Sequence, residues 1–147
     1  MSDRSPGKPH DVSSAPRAPA ARQRVQSGAP WETQVGYCRA IRAGAHIYVT
    51  GTVPLEPDGS PHAPDDAYRQ AKRSLQIIES ALTELGATRA DVVRTRMFVT
   101  DIARWADFGR AHAEFFGEHR PATTMVEVRR LISDDFLIEI EADAVVG

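Results

Sequence analysis

Acidic residues at alternate positions near the C-terminus are the side chains best suited to proton transfer. Glu139 and Glu141 lie in the run 136–142, where apolar residues occupy the positions between them. A carboxylate that is partly desolvated at an interface can have a raised pKa and act as a general base. The structural alternative is a salt bridge from Glu139 to Arg94 or Arg96 of another strand.

Cysteine and histidine chemistry has weaker support. Cys38 is the only cysteine, which rules out an internal disulfide and a cysteine-based zinc cluster and suits a reducing compartment. No histidine or helix N-terminus beside it would lower the pKa of its thiol, so a small buried thiol is expected. His46, His62 and His119 lack ligand spacing, so a metal site is not indicated. His112 lies on an apolar helix stripe and is expected to be a partly buried, hydrogen-bonded histidine.

Apolar periodicity predicts the elements that would position these residues. In chain order we expect a hairpin around Ala43–Ala45, a helix from Asp65 or Asp66 to Leu85, a strand over Val92–Val99, a helix capped by Asp101 and ending at Phe116, and strands over 120–128 and 136–142. We expect the last two strands to be adjacent. This order predicts an α+β fold with one mixed β-sheet and two helices packed on one face.

The other face of the sheet is expected to be half polar. The residues placed there by strand parity are Arg94, Arg96, Glu127, Glu139, Glu141 and Asp143, with Phe98, Met125 and Leu137 among them. Such a surface resembles a subunit contact more than a solvated face. We therefore predict an oligomer whose sheets face each other.

Length and charge narrow the class of protein. The 147 residues suit one domain, predicted over 23–147, and 18 basic against 20 acidic residues do not indicate a nucleic-acid surface. No apolar run reaches the roughly 18 residues of a membrane span, so a soluble protein is expected, and the lone cysteine makes a cytoplasmic location the default. Residues 1–22 are rich in Pro, Ala and Ser and are predicted to form a disordered arm, with an organelle transit peptide as the alternative.

Six short motifs, in this order and spacing, resemble the RidA (YjgF) family over nearly everything after residue 23. They are Val35–Ala40, Ile47–Gly51, Phe98–Asp101, Pro121–Ala122, Val126–Val128 and Ile138–Ala142. The resemblance implies a chorismate-mutase-like fold and a homotrimer with sites at the three subunit interfaces. The best-known members hydrolyse reactive imines, tautomers of enamines, to 2-keto acids and ammonia without metal or cofactor.

The resemblance also marks an altered substrate pocket. In the deaminating members an arginine directly after the Pro-Ala pair binds the substrate carboxylate, and here that position is Thr123. One neutral hydrogen bond in place of two charge-assisted ones weakens anion binding by on the order of a few kcal/mol. Ordinary 2-imino acids should then bind poorly, unless Arg120 reaches the pocket from its loop. Met125 occupies the position of a frequent pocket cysteine.

Two matching residues remain as catalytic candidates. Glu139 matches the acid that relatives use to hold the attacking water, and Tyr37 would be a pocket wall and hydroxyl donor, with simple packing as its alternative role. Cys38 is expected to approach the pocket beside Tyr37. The sequence thus favours a cofactor-free imine or enamine hydrolase whose substrate is neutral or bears its anion elsewhere.

Two other functions compete with this prediction. The first is a trimeric small-molecule-binding or scaffolding protein that has lost deaminase chemistry. The second is RNA cleavage, against which the acidic balance and the lack of a basic, aromatic stripe both count.

Overall fold

One six-stranded sheet organises the computed structural model of the chain, which describes residues 21–147. The strands are β1 (Gln23–Val25), β2 (Ala40–Ala43), β3 (His46–Thr52), β4 (Val92–Val99), β5 (Ala122–Glu127) and β6 (Ile138–Val145), and they are arranged in the order β1-β2-β3-β6-β4-β5. The β4–β5 pair is parallel and the other pairs are antiparallel. The predicted mixed sheet is therefore confirmed. Most of the proposed N-terminal arm, residues 1–20, lies outside the described residues.

The expected adjacency of β5 and β6 is wrong, because β4 lies between them. Met97 of β4 pairs with Ile140 of β6 on one side and with Met125 of β5 on the other. The chain between β4 and β5 contains a helix, and parallel neighbours need such a crossover connection. The two C-terminal strands therefore share a neighbour and do not pair with each other.

Within residues 21–147, three α-helices accompany the sheet: α1 (Pro30–Val35), α2 (Ala67–Glu84) and α3 (Trp105–Phe116). The Asp66 side chain caps α2 by accepting a hydrogen bond from the Arg69 backbone N–H at 2.9 Å, and Gly86 follows its end at φ +75°. Asp101 caps a short 3₁₀ turn over 102–104 instead of α3 itself, which corrects the predicted start of that helix. Sequence periodicity missed α1 and β1, which have six and three residues.

The core lies between one sheet face and the helices α2 and α3. Its largest fully buried apolar side chains are Phe108, Phe136, Ile47, Leu75, Ile78, Leu82, Ile138, Ile140 and Val99. Burying each such side chain stabilises the fold by about 1.5–3 kcal/mol. Because residues alternate between faces along a strand, the strand residues next to Ile47, Val99, Ile138 and Ile140 point to the opposite side of the sheet, which we call the open face.

Candidate functional site

Glu139 projects from the middle of the sheet onto the open face. Its neighbours Ile138 and Ile140 are fully buried in the core, and its partner across the ladder is Phe98 of β4. A β-bulge in β3 lies on its other side, since the pairing register shifts between Val49 and Thr52. Bulges of this kind often re-aim backbone and side chains at functional sites.

Gly51 lies within this bulge and makes room for the Glu139 carboxylate. A Cβ atom added to Gly51 would lie only 2.2 Å from Glu139 Oε1. The carboxylate therefore packs directly against the backbone of β3. A side chain at this position would have to displace it.

The salt bridge proposed between Glu139 and Arg94 or Arg96 is not formed. Arg96 Nη1 lies instead 3.4 Å from both Glu141 Oε2 and Asp143 Oδ2. Within residues 21–147, Glu139 takes part in no ion pair. Burial raises the pKa of the Glu139 carboxyl, and the negative charge of Glu141 raises it further. This carboxyl is consequently a better proton acceptor than an exposed one.

Arg39, the residue before β2, approaches the same bulge. Its Nη1 donates to Thr52 Oγ1 at 2.8 Å and its Nη2 donates to the Gly51 carbonyl at 3.1 Å. Its Nε is buried and has no hydrogen-bond partner in the described part of the chain. Burial lowers the pKa of Arg39, and the nearby Tyr37 opposes this effect. The positive charge of Arg39 in turn opposes the rise in the pKa of Glu139.

Sequence reasoning missed Arg39, although it lies in the motif that contains Tyr37 and Cys38. Its neighbour Ala40 is buried in the core, so alternation alone would have placed Arg39 on the opposite face. Tyr37 and Cys38 are half-buried, and both are near enough to Arg39 to influence its pKa electrostatically. The structure thus places these two predicted site residues beside Arg39, and it shows no contact between either of them and Glu139 within residues 21–147.

A shallow pocket of about 300 Å³ opens beside Glu139. Its lining residues are Phe98, Val128, Arg130, Leu131, Glu139 and Glu141. Arg130 is largely exposed and pairs with Asp134 at 3.3 Å. A small molecule in this pocket would therefore meet an apolar wall, two carboxylates and the guanidinium of Arg130.

Thr123 and Met125 lie on the opposite face from Glu139. Thr123 pairs with Thr95 of β4, whose hydroxyl lies 2.7 Å from the Thr123 hydroxyl and 2.8 Å from His112 Nε2. Met125 pairs with the buried Met97 and packs against the core, so its expected position on the polar face is wrong. One chain therefore does not present Thr123 and Glu139 to a common pocket.

Two further expectations concern the ends of β5. Glu127 pairs with the buried Val99, and its carboxylate accepts a hydrogen bond from the Ile102 backbone N–H at 2.9 Å. It therefore does not belong to the open face, where it was expected. Arg120 is exposed in the turn before β5.

Comparison with known proteins places this arrangement in a family. The family model described as endoribonuclease L-PSP matches residues 28–146, which is most of the chain. The chain belongs to the endoribonuclease L-PSP family. This is the YjgF/RidA family that the six motifs indicated.

Several endoribonuclease L-PSP relatives resemble the chain closely. The crystal structure of Rv2704 from Mycobacterium tuberculosis, a member of the YjgF/YER057c/UK114 family, has a TM-score of 0.78 and 48% identity, covering 86% of this chain and 100% of that one. A RutC family protein of Pyrococcus abyssi is 38% identical, covering 74% of this chain and 84% of its own length. A 2-iminobutanoate/2-iminopropanoate deaminase of Salmonella typhimurium is 34% identical, covering 74% and 86%.

Residues 21–147 contain no group of three or more His, Cys, Asp or Glu side chains arranged to hold a metal ion. Over the same described range, no helix combines the length and apolar character needed to cross a membrane.

Proposed function

We propose that this protein is a cofactor-free hydrolase that deaminates a reactive imine, enamine or related carbonyl compound. The observation that carries the proposal is the state of Glu139. Its carboxylate is partly buried, forms no ion pair within residues 21–147, has a raised pKa and lines a pocket. The relative named 2-iminobutanoate/2-iminopropanoate deaminase supports the reaction class.

The chemistry requires one group that accepts and returns protons. Glu139 holds a water molecule and takes a proton from it while the water oxygen attacks the C=N carbon. The electron pair of the C=N bond moves to nitrogen, which receives that proton and gives a carbinolamine. Glu139 then takes the hydroxyl proton and delivers it to nitrogen as the C–N bond breaks, releasing ammonia and leaving a carbonyl group.

We further propose that the complete site forms between subunits of a homotrimer. Thr123 and Glu139 occupy opposite faces of one sheet, so a pocket that contains both needs a second copy of the chain. Two large apolar side chains on the open face support an interface there, since Tyr48 is 50% exposed and Val126 is 42% exposed. Tyr37 and Cys38 would border the pocket near Arg39, and Met125 would lie beside Thr123.

RNA cleavage, the activity in the family's description, has less support from this site. Glu139 and Glu141 line the pocket, and the whole chain has a formal charge of −2. Phosphate groups are attracted by basic surfaces and repelled by such acids. The charges therefore disfavour a polyanion such as RNA.

Ammonia release in excess of the spontaneous rate tests the proposal. Freshly generated 2-iminopropanoate and a panel of uncharged imines are offered to the parent, to Glu139→Gln and to Thr123→Arg. We expect turnover of at least one imine by the parent and a loss of about 100-fold or more in Glu139→Gln. Unchanged turnover in Glu139→Gln would refute the role of Glu139. A parent inert towards every imine would favour the trimeric binding or scaffolding protein.

The assembly is tested separately by the molar mass in solution. Light scattering at several protein concentrations should give three times the chain mass of 16.1 kDa. A monomer would refute the intersubunit site.

A further inference from the structure

We propose that Arg39 binds a negatively charged group of the substrate, so that the protein acts on an anionic compound held at the β3 bulge. The reaction itself rests on the proposed function, whereas the binding of the anion rests on the surroundings of Arg39. The expected loss of anion affinity at Thr123 is then offset at a different position in the site.

The guanidinium of Arg39 has donors to spare. A guanidinium carries five N–H groups, and in Arg39 the contacts are to two neutral acceptors, Thr52 Oγ1 and the Gly51 carbonyl. Its buried Nε has no partner within residues 21–147. Buried donors are normally satisfied, because an unpaired one loses its hydration without compensation. Because this Nε is inaccessible, a carboxylate ligand would contact the second N–H groups of Nη1 and Nη2.

The charge of Arg39 also lacks a direct counter-ion among the described residues. Four other arginines each form an ion pair with a carboxylate: Arg89, Arg96, Arg110 and Arg130. Arg39 is held at its position by Thr52 and Gly51 without such a pair. A preorganised, partly desolvated guanidinium is the group that proteins use to recognise planar carboxylates.

Gly51 connects this charge to the proposed base. Its carbonyl accepts a hydrogen bond from Arg39 Nη2, and the space at its Cα is occupied by Glu139 Oε1. Arg39 and Glu139 therefore flank one residue of the bulge. A small substrate whose anion lies close to its C=N bond could contact Arg39 with the anion and present the bond to Glu139.

Arg130 is the rival guanidinium because it lines the pocket beside Glu139, whereas Arg39 lies at the β3 bulge outside that lining. It is largely exposed and already pairs with Asp134, so solvent and this carboxylate weaken its hold on a ligand. Thr123 offers only a neutral hydroxyl. Among these three, Arg39 is the group whose surroundings best suit an anion.

A binding experiment tests this without requiring turnover. The intact protein is titrated with 2-oxobutanoate and with its uncharged amide, and affinities are measured by calorimetry. We expect the parent to bind the carboxylate at least tenfold more tightly than the amide, and Arg39→Gln to lose this preference. Arg39→Lys should lose most of it, because an ammonium group cannot make the bidentate contact. Arg24→Gln, which changes an exposed arginine of β1, is the matched control.

Defined outcomes would overturn the proposal. Equal affinities of the parent for carboxylate and amide would do so, as would a preference that survives in Arg39→Gln or disappears only in Arg130→Gln. If Arg39→Gln does not fold, Arg39→Lys decides, and an undiminished preference in that variant counts against Arg39.

Turnover measured in parallel separates the two proposals. A carboxylate preference that depends on Arg39, in a parent inert towards all imines, would leave the binding inference standing and refute the deaminase. Turnover of a carboxylated imine with an unchanged KM in Arg39→Gln would support the deaminase and refute the binding of the anion by Arg39.

Discussion

Replacing Gly51 by alanine should displace the Glu139 carboxylate while leaving the fold intact. The new Cβ would lie 2.2 Å from Glu139 Oε1, 2.9 Å from its Cδ and 3.3 Å from its Cγ. Favourable non-bonded contacts between carbon atoms are roughly 3.5–4.0 Å long, so the carboxylate must withdraw by about 1 Å. Gly51 is not among the glycines with positive φ, so its backbone can accept alanine.

The expected change in stability is small. Forcing Glu139 from its preferred rotamer costs about 0.5–1.5 kcal/mol, whereas alanine restricts the unfolded chain and contributes about 0.4–1 kcal/mol of stability. These opposite effects should leave the free energy of unfolding within about 1 kcal/mol of the parent. Catalysis is more sensitive, since a misplacement of about 1 Å can lower the rate about 100-fold.

Two measurements on Gly51→Ala examine this reasoning. Ammonia release gives kcat, and urea unfolding gives the free energy of unfolding. The double variant Gly51→Ala/Glu139→Gln should be no slower than Glu139→Gln alone, because both changes act through one carboxylate. Full activity in Gly51→Ala, or additive losses in the double variant, would refute the argument. The pKa of Glu139 by carbon NMR is a readout independent of turnover, and it should fall towards its ordinary value as the carboxylate leaves its buried position.

Three further predictions concern stability. Glu139→Gln should be more stable than the parent at pH 7.5, where the parent holds a charged carboxylate in a partly buried position. Burial and Glu141 raise the folded-state pKa of Glu139, so the contribution of this carboxyl group to the free energy of unfolding is complete below about pH 4.3 and is lost as the pH rises through the folded-state pKa. Urea unfolding at pH 7.5 and 4.5 and one protein concentration measures this, and a variant less stable at pH 7.5 would indicate an ion pair. Thr95→Val should lower the free energy of unfolding by about 1–2 kcal/mol, because it removes the hydroxyl between His112 and Thr123. Thr95→Ser keeps a hydroxyl and should retain most of the stability. Equal chemical denaturation midpoints for Thr95→Val and the parent would contradict this prediction. Burial lowers the pKa of His112, so its contribution to stability is present above about pH 6.5 and is lost as the pH falls through the folded-state pKa. His112→Gln should therefore lose less stability than the parent as the pH is lowered. Identical profiles of unfolding free energy against pH would exclude His112 as the source of the parent's decline.

The elements that sequence predicted well are those specified by neighbouring residues. The strand over Val92–Val99 has the predicted ends because alternation covers its full length. The α2 helix begins after Asp66 and is followed by Gly86, because a side-chain cap and a left-handed glycine are local signals. The β1 strand and α1 helix are too short for either period to be recognised.

The partners of a strand are not specified locally. The alternation over 120–128 and 136–142 showed two strands, yet β4 separates them because the α3 crossover returns β5 parallel to β4. The same alternation placed Glu139 on the correct face. It could not show that Arg96 would pair with Glu141 and Asp143 instead.

The sequence by itself determined the family and the main helices and strands, since these depend on residue types at set spacings, and through the family resemblance it named Glu139 as the candidate acid. Only the tertiary structure decided what surrounds that acid. The bulge at Gly51, the carboxylate packed against it and the guanidinium of Arg39 come from separate strands. Their meeting depends on strand order and register, which are set by contacts between residues far apart in the chain.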